Sequence, residues 1–386
     1  MQTLALLHDS WRLLLSRKLF WITFAINLLV VALYASIGFT EKGVSILFGL
    51  YEIEDPRFRL GAPLAEALYR GIFSDFIVTT WLAWIATGLA LVSTTSIFPD
   101  FLADGAIDLV VSKPIRRAKI FLVKYLGALL FVLLQVTVFC LGAFLAYGWR
   151  LGEWNWAIFL AIPIVTVFYS YLYGFNVLMA MVTRSSIAAL IFTALFWLCL
   201  FFVQSGEGLF NQIATDQEVQ LARVEERLER REAALAKLSS EGKTSENSNE
   251  FERVRGQVEA DRTSAKELRE TATSTREWHG MFLGVMAVLP KNQETIGLVG
   301  RALTDEGEPT MTDVFFAGPR GGLPPPPPPD AEPDRRRERR DVAQATAERI
   351  EADYDSRSIA WIIGTSLLFE AVLVGAAMLL FIRRDF

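Results

Sequence analysis

The chain has 386 residues, of which 52% are hydrophobic, and a formal net charge of −5. Its mean hydropathy of +0.32 lies above what a soluble globular domain carries and points to a membrane protein, while the near balance of charge argues against bulk attraction to nucleic acid. The two cysteines, Cys140 and Cys199, form no Cys-x-x-Cys or Cys/His pattern, which argues against a disulfide framework or a metal site and leaves them as small buried hydrophobes.

Residues 1–19 place Leu4, Leu7, Trp11 and Leu14 at helical spacing, with Asp9, Arg12, Arg17 and Lys18 elsewhere on the wheel. This pattern predicts an amphipathic helix lying in the membrane interface. A bilayer core about 30 Å thick needs roughly 20 apolar residues of helix. Stretches 20–39, 76–98, 127–147, 156–182, 187–203 and 359–382 meet or approach that length. The predicted fold is therefore an all-α polytopic membrane protein with six transmembrane helices, the first five within 20–203 and the sixth, with a short cytosolic tail, in 358–386. Aromatic residues near the predicted ends, Phe20, Trp21, Tyr147, Trp156 and Trp361 among them, suit interfacial anchors.

Orientation follows from the basic residues of the short connections. With the amino terminus inside, Arg12, Arg17, Lys18, Lys113, Arg116, Arg117, Lys119, Lys124, Arg184, Arg383 and Arg384 are cytosolic, against only Lys42, Arg57, Arg59, Arg70 and Arg150 outside. Both termini are then cytosolic in a plasma (inner) membrane, and 204–357 forms a large extracytoplasmic insert.

Within that insert, Leu221, Val224, Leu228, Arg231, Leu235 and Leu238 mark a heptad seam with one polar break. The alternation returns at Phe251, Val254, Val258, Asp261, Ala265 and Leu268. Two such helices joined by a short polar turn predict a coiled-coil hairpin over 215–275. A solvated, partly disordered charged loop is the alternative. An interfacial or re-entrant segment is expected over 277–300, and a proline-rich linker over 318–341. Its six consecutive prolines, 324–329, would extend roughly 19 Å as a polyproline rod.

No catalytic constellation emerges. His8 and His279 are far apart and belong to no nucleophilic triad spacing. The tripeptide Gly242–Lys243–Thr244 lacks the upstream glycine of a phosphate loop, position 237 being Lys237, and its flanks read as coiled coil. Any ATP would be bound by another chain. Glu370 is the one charge inside the last apolar stretch, where a charged side chain costs about 2.5–3.5 kcal/mol. It must either hydrogen-bond hydroxyl groups such as those of "TVFYSYLYG" or line a substrate path.

The cytosolic connection 99–126 carries "ADGAIDLVVSKPIRRAKIFLVKYLG". An acidic-Gly-x-x-acidic segment, an apolar run and then Ser-Lys-Pro-x-x-Arg follow the second span, and this resembles the permease subunits of type-2 ABC transporters. The wording is most similar to the branch associated with copper-enzyme maturation, although no Met/Cys/His set supports copper handling. The likeness covers the six-span frame, the opening "WRLLLSRKLFWITF" and the ending "FIRRDF", but not the stretch from 204 to about 276. Arg116 departs from the pattern, which commonly has a small polar residue there.

The resemblance implies a non-enzymatic subunit that binds no cofactor, ATP and magnesium sitting on a separate ABC ATPase subunit dimer. It also implies a second permease copy, identical or different, and contact with membrane lipid. Asp104, Asp108, Lys113, Arg116 and Arg117 would supply charge complementarity to the ATPase. Ile107 and Leu109 would supply buried contacts, and Pro114 would set the angle at which the coupling helix meets the third span. Two other classes compete: a membrane scaffold or mechanotransmission protein whose external hairpin docks an envelope partner, and an ion-coupled carrier. The latter normally shows several intramembrane ionisable groups or an internal repeat.

Overall fold

The computed structural model describes residues 18–102, 116–240, 249–303 and 333–383. The expected interfacial helix at 1–19 falls almost wholly outside these residues, as does most of the proline-rich linker. Five helices among the described residues are long and apolar enough to cross a membrane: Leu64–Leu102, Arg117–Leu151, Trp156–Thr183, Ser186–Ser240 and Ile359–Arg383. The expected first span is shorter. Helix α1 (Lys18–Ser36) stops where the chain turns into strand β1 (Gly38–Phe39), so its apolar part is Phe20–Ser36.

The sequence reading expected no strands, yet β1 pairs antiparallel with β2 (Gly43–Ile46), and β2 with β3 (Tyr51–Glu54). Gly43 makes this possible. Its φ is +156°, and a Cβ there would lie 2.2 Å from the Ile53 carbonyl oxygen, so only glycine fits.

After a short 3-10 turn at Pro56–Phe58 the second crossing begins well before its expected start at 76. It comprises α2 (Pro63–Gly71), a π-helical stretch (Ile72–Ala86) and α3 (Thr87–Thr94), followed by the short α4 (Ile97–Leu102). A π-helical run of this length is unusual. The hydroxyls of Thr79 and Thr87 follow its wider winding, each donating to the carbonyl five residues back, Ser74 and Leu82. The remaining helices are α5 (Arg117–Leu151), α6 (Ala161–Thr183), α7 (Ser186–Ser240), α8 (Asn249–Val288), α9 (Asn292–Leu303), α10 (Pro333–Ser356) and α11 (Ile359–Arg383).

The described residues divide into two compact units. The first takes the chain up to Phe201, then 288–303, then α11; the second takes Phe202–Ala287 and α10. In the first unit, α1 lies along α5, with Phe20 against Phe131 and Val31 closing on Gly142, where a Cβ would come within 2.7 Å of it. The buried face of α6 packs on α5 and α11, and Tyr169, Tyr173, Phe121, Phe131 and Phe139 fill the interior. Helix α9 is amphipathic and buries Ile296, Leu298, Val299 and Leu303 against the π-helical stretch, α6 and α11. Cys140 is buried, but Cys199 is exposed on α7, which corrects the expectation that both are core residues. The apolar run containing Cys199 meets hydrocarbon on its outward side, so apolarity there does not signify a protein interior.

In the second unit α7 and α8 run side by side. Arg231 pairs with Asp261 at 2.6 Å, Arg262 with Glu232 at 2.7 Å, and Arg269 with Glu225 at 2.5 Å. Phe210 stacks on Phe282 and Trp278, and Gly206 leaves room for the Phe282 ring, which a Cβ would meet at 2.8 Å.

Candidate coupling junction and membrane-embedded carboxylate

The connection between the second crossing and α5 places Asp104, Ile107, Asp108, Leu109, Lys113 and Pro114 outside the described residues. Its two ends are described. Arg116 is the extended residue preceding α5 and is exposed, and its side chain does not cap that helix start. Basic side chains are unfavourable at a helix amino terminus, where the helix dipole is already positive. Arg117 turns elsewhere: its Nη1 donates to the Ile382 carbonyl at 3.1 Å. That carbonyl belongs to the last turn of α11, where backbone acceptors lack helical partners and the dipole is negative. The ammonium of Lys124 lies 4.3 Å from the centre of the Phe101 ring, a cation–π contact. Phe101 and Phe121 both pack against Phe381, at 6.2 and 5.9 Å between ring centres. Thus α4, the start of α5 and the end of α11 meet in one aromatic junction beside the basic bend.

Further along α5, at steps of four residues, the same stripe continues. Arg117 touches Ile382, Phe121 touches Phe381, and Tyr125 touches Glu370. The Tyr125 hydroxyl donates to Glu370 Oε1 at 2.7 Å, and Ser170 Oγ donates to Oε2 at 2.7 Å. Glu370 is buried, with Gly174 packed beside it. The Tyr125 ring stacks on Tyr173, Tyr173 stacks on Tyr169, and the Tyr169 hydroxyl meets that of Thr94 at 2.6 Å. A tyrosine ladder therefore ties the second crossing, α5, α6 and α11 to one carboxylate. Each oxygen of that carboxylate has a hydroxyl donor, the arrangement that makes burial of a polar group tolerable.

Two groupings escaped the sequence reading. Lys291 is fully buried before α9. Its backbone N–H donates to Ser366 Oγ at 3.0 Å, its Nζ donates to Thr365 Oγ1 at 2.6 Å, and the ammonium lies 4.1 Å from the Trp361 ring centre. The available signal was the polar "PKNQET" interrupting an apolar run. In the second unit the buried Glu207 lies 3.0 Å from His279 Nε2 and accepts from Arg357 Nη2 at 2.7 Å and from the Tyr354 hydroxyl at 3.4 Å. These residues are 72 to 150 positions apart in sequence, beyond the reach of any local pattern.

No group of three His, Cys, Asp or Glu residues positioned to hold a metal ion occurs among the described residues. The architecture defines a helical polytopic membrane protein with a second, charged helical unit. Comparison with protein-family models, with curated proteins and with solved structures gave no match.

Proposed function

We propose that the chain is the permease subunit of an ATP-driven ABC-type transporter, an exporter in which a separate ATPase dimer binds ATP and magnesium and a second permease copy completes the pathway. The observation that carries this reading is the stripe Arg117–Phe121–Tyr125 on α5. It links the end of the "SKPIRR" bend to the foot of α11 and then to Glu370, so force applied at the bend has a continuous packed route to the only acidic side chain within the α11 crossing. On this reading α1 supplies a sixth crossing, both termini are cytosolic in the plasma membrane, and 204–287 together with α10 projects to the outer side. The ATPase grips the connection 103–116, with Asp104, Ile107, Asp108, Leu109, Lys113 and Arg116 as contact residues and Pro114 setting the bend.

The test is co-purification of an ABC ATPase subunit with the tagged chain from its native membrane. The double variant Lys113→Glu/Arg116→Glu should insert normally but lose the ATPase, because reversed charge at a complementary surface is repulsive. Undiminished co-purification would sink the reading.

A second reading is favoured by the ion-pair series Arg231–Asp261, Arg262–Glu232 and Arg269–Glu225. Such a cross-tied hairpin suits a docking arm for an envelope partner, with ATP hydrolysis used mechanically and no solute moved. ATPase activity stimulated by an added envelope protein, without solute flux, would favour it over transport.

A further inference from the structure

The end of the first unit where α5 finishes carries an open groove of about 550 Å³, lined by Ala35, Gly142, Leu145, Ala146, Trp149 and Trp154. That volume lies in the range of sites that hold small molecules. Small residues make the groove. Helix α1 stops at Ser36 while α5 runs on to Leu151, and Gly142 and Ala146 leave the flank of α5 low beside Ala35. Gly148 lets the Trp154 indole close against α5, since a Cβ there would lie 2.5 Å from the ring. The walls remain uncovered: Leu145, Trp149 and Trp154 are 60%, 66% and 53% exposed. On a helix that crosses a membrane, this face meets lipid, and paired tryptophans at a helix end mark the headgroup level.

A cation touches two of the lining residues. Arg150 spends its Nε on the Ala35 carbonyl, at 2.6 Å, and its guanidinium lies 4.4 Å from the Trp149 ring centre and 5.4 Å from that of Phe48. Its Nη2 is buried with no hydrogen-bond partner among the described residues. A buried donor of a charged group left unmet is costly. The Glu66 carboxylate, which reaches the same end of α5 through Tyr147, is already engaged by Arg70 at 3.0 Å.

We infer that this groove is a binding site for one bilayer glycerophospholipid, with an acyl chain lying between α1 and α5 and the phosphodiester accepting from Arg150. Guanidinium and phosphate are matched in geometry, and basic groups at the ends of membrane helices commonly recognise lipid headgroups. Apolar groove and cation each point to one part of the same amphiphile. The site is independent of the transport reading; under the topology proposed above it faces the outer leaflet.

The full chain reconstituted in nanodiscs with a trace of phosphatidylglycerol carrying a photoactivatable acyl chain tests this. Adducts should concentrate on residues 142–154 and around Ala35. Arg150→Gln should lower labelling there roughly tenfold, the weight of one charge-assisted hydrogen bond, with labelling near the exposed Ile191 on α7 unchanged. Because Arg150→Gln also loses the bond to Ala35, a second variant, Ala35→Phe, fills the groove with the cation intact and should give the same loss. A diacylglycerol probe, which lacks the phosphate, should label the site as weakly as Arg150→Gln does. Labelling spread evenly over all lipid-facing helices, undiminished labelling in both variants, equal labelling by diacylglycerol, or displacement by millimolar inorganic phosphate would each overturn the assignment.

Discussion

Arg231 Nη1 donates to Asp261 Oδ2 at 2.6 Å, joining α7 to α8 at the single polar position in the apolar seam of each. Asp261 is buried and Arg231 partly so. The pair therefore fixes register more than it adds stability, as polar seam residues do in coiled coils. Arg231→Leu should leave Asp261 without its partner and raise hydrogen exchange of 221–238 and 251–268 by roughly tenfold, or about 1.4 kcal/mol. Replacing both residues with leucine should restore protection to the original level or above it. An Arg231→Leu variant that exchanges like the parent would show that the pair contributes nothing.

The Glu370 site separates two roles. Glu370→Gln keeps an acceptor for Ser170 and can pair its amide with the Tyr125 oxygen, so thermal stability in detergent should change by less than about 1 kcal/mol. Glu370→Ala leaves a cavity and turns the Tyr125 and Ser170 hydroxyls to the Ser170 and Val167 carbonyls, and should cost about 2–4 kcal/mol. If Glu370→Gln also supports full ATP-driven transport, the carboxylate is a structural tie and does not line the cargo path.

Arg116 and Arg117 should diverge. Arg117 holds the Ile382 carbonyl of α11, whereas Arg116 is the exposed, extended residue before α5. Under the transport reading Arg117→Gln should keep the ATPase bound while lowering the ATPase activity that transport stimulates. Its stability cost, at an exposed contact, should stay within about 1 kcal/mol. Loss of ATPase binding in Arg117→Gln would place this residue in the docking surface instead.

Glu207 anchors α7 to α8 and α10 through His279, Tyr354 and Arg357. Glu207→Ala removes one of the two carboxylates that Arg357 meets, Asp353 at 3.2 Å being the other, and should destabilise the second unit by about 1–3 kcal/mol. Limited proteolysis should then cut within α10 faster than in the parent protein. Equal resistance would rule out the anchoring role.

Gly43→Ala should abolish the β2–β3 pairing, because the added methyl collides with backbone, which cannot yield as a flexible side chain does. Amides of Glu52 and Glu54 should lose protection while those of α5 keep theirs; retained protection at Glu54 would refute the steric argument.

Long apolar runs are plain in the sequence because hydrocarbon demands them, and helices occupy those runs. What local pattern misses is any pairing across the fold. Glu370 stands out as a lone charge, but its partner Tyr125 is 245 positions away and reads as one more aromatic near a helix start. Arg231 and Asp261 are each visible as a flaw in an apolar seam, and only the structure shows that each flaw answers the other. The 15-residue π-helical stretch has no residue signature. The sheet at 38–54 hides in a loop too short to display alternation. The apolar run before Pro290 invites a single interfacial segment over 277–300, whereas the proline divides it: α8 ends at Val288, and the amphipathic α9 beyond belongs to the first unit.

Lys291 has a consequence of its own. Thr365 and Ser366 each send their hydroxyl proton back along α11, to Trp361 and Ile362, and so present oxygen lone pairs to the lysine ammonium and to its backbone N–H. Pulling α9 away would part the buried Lys291 ammonium from the Thr365 hydroxyl and the Trp361 ring. The short helix is thereby riveted to α11, and severing the chain anywhere between 304 and 332 should leave it in place, travelling with that helix as a single piece.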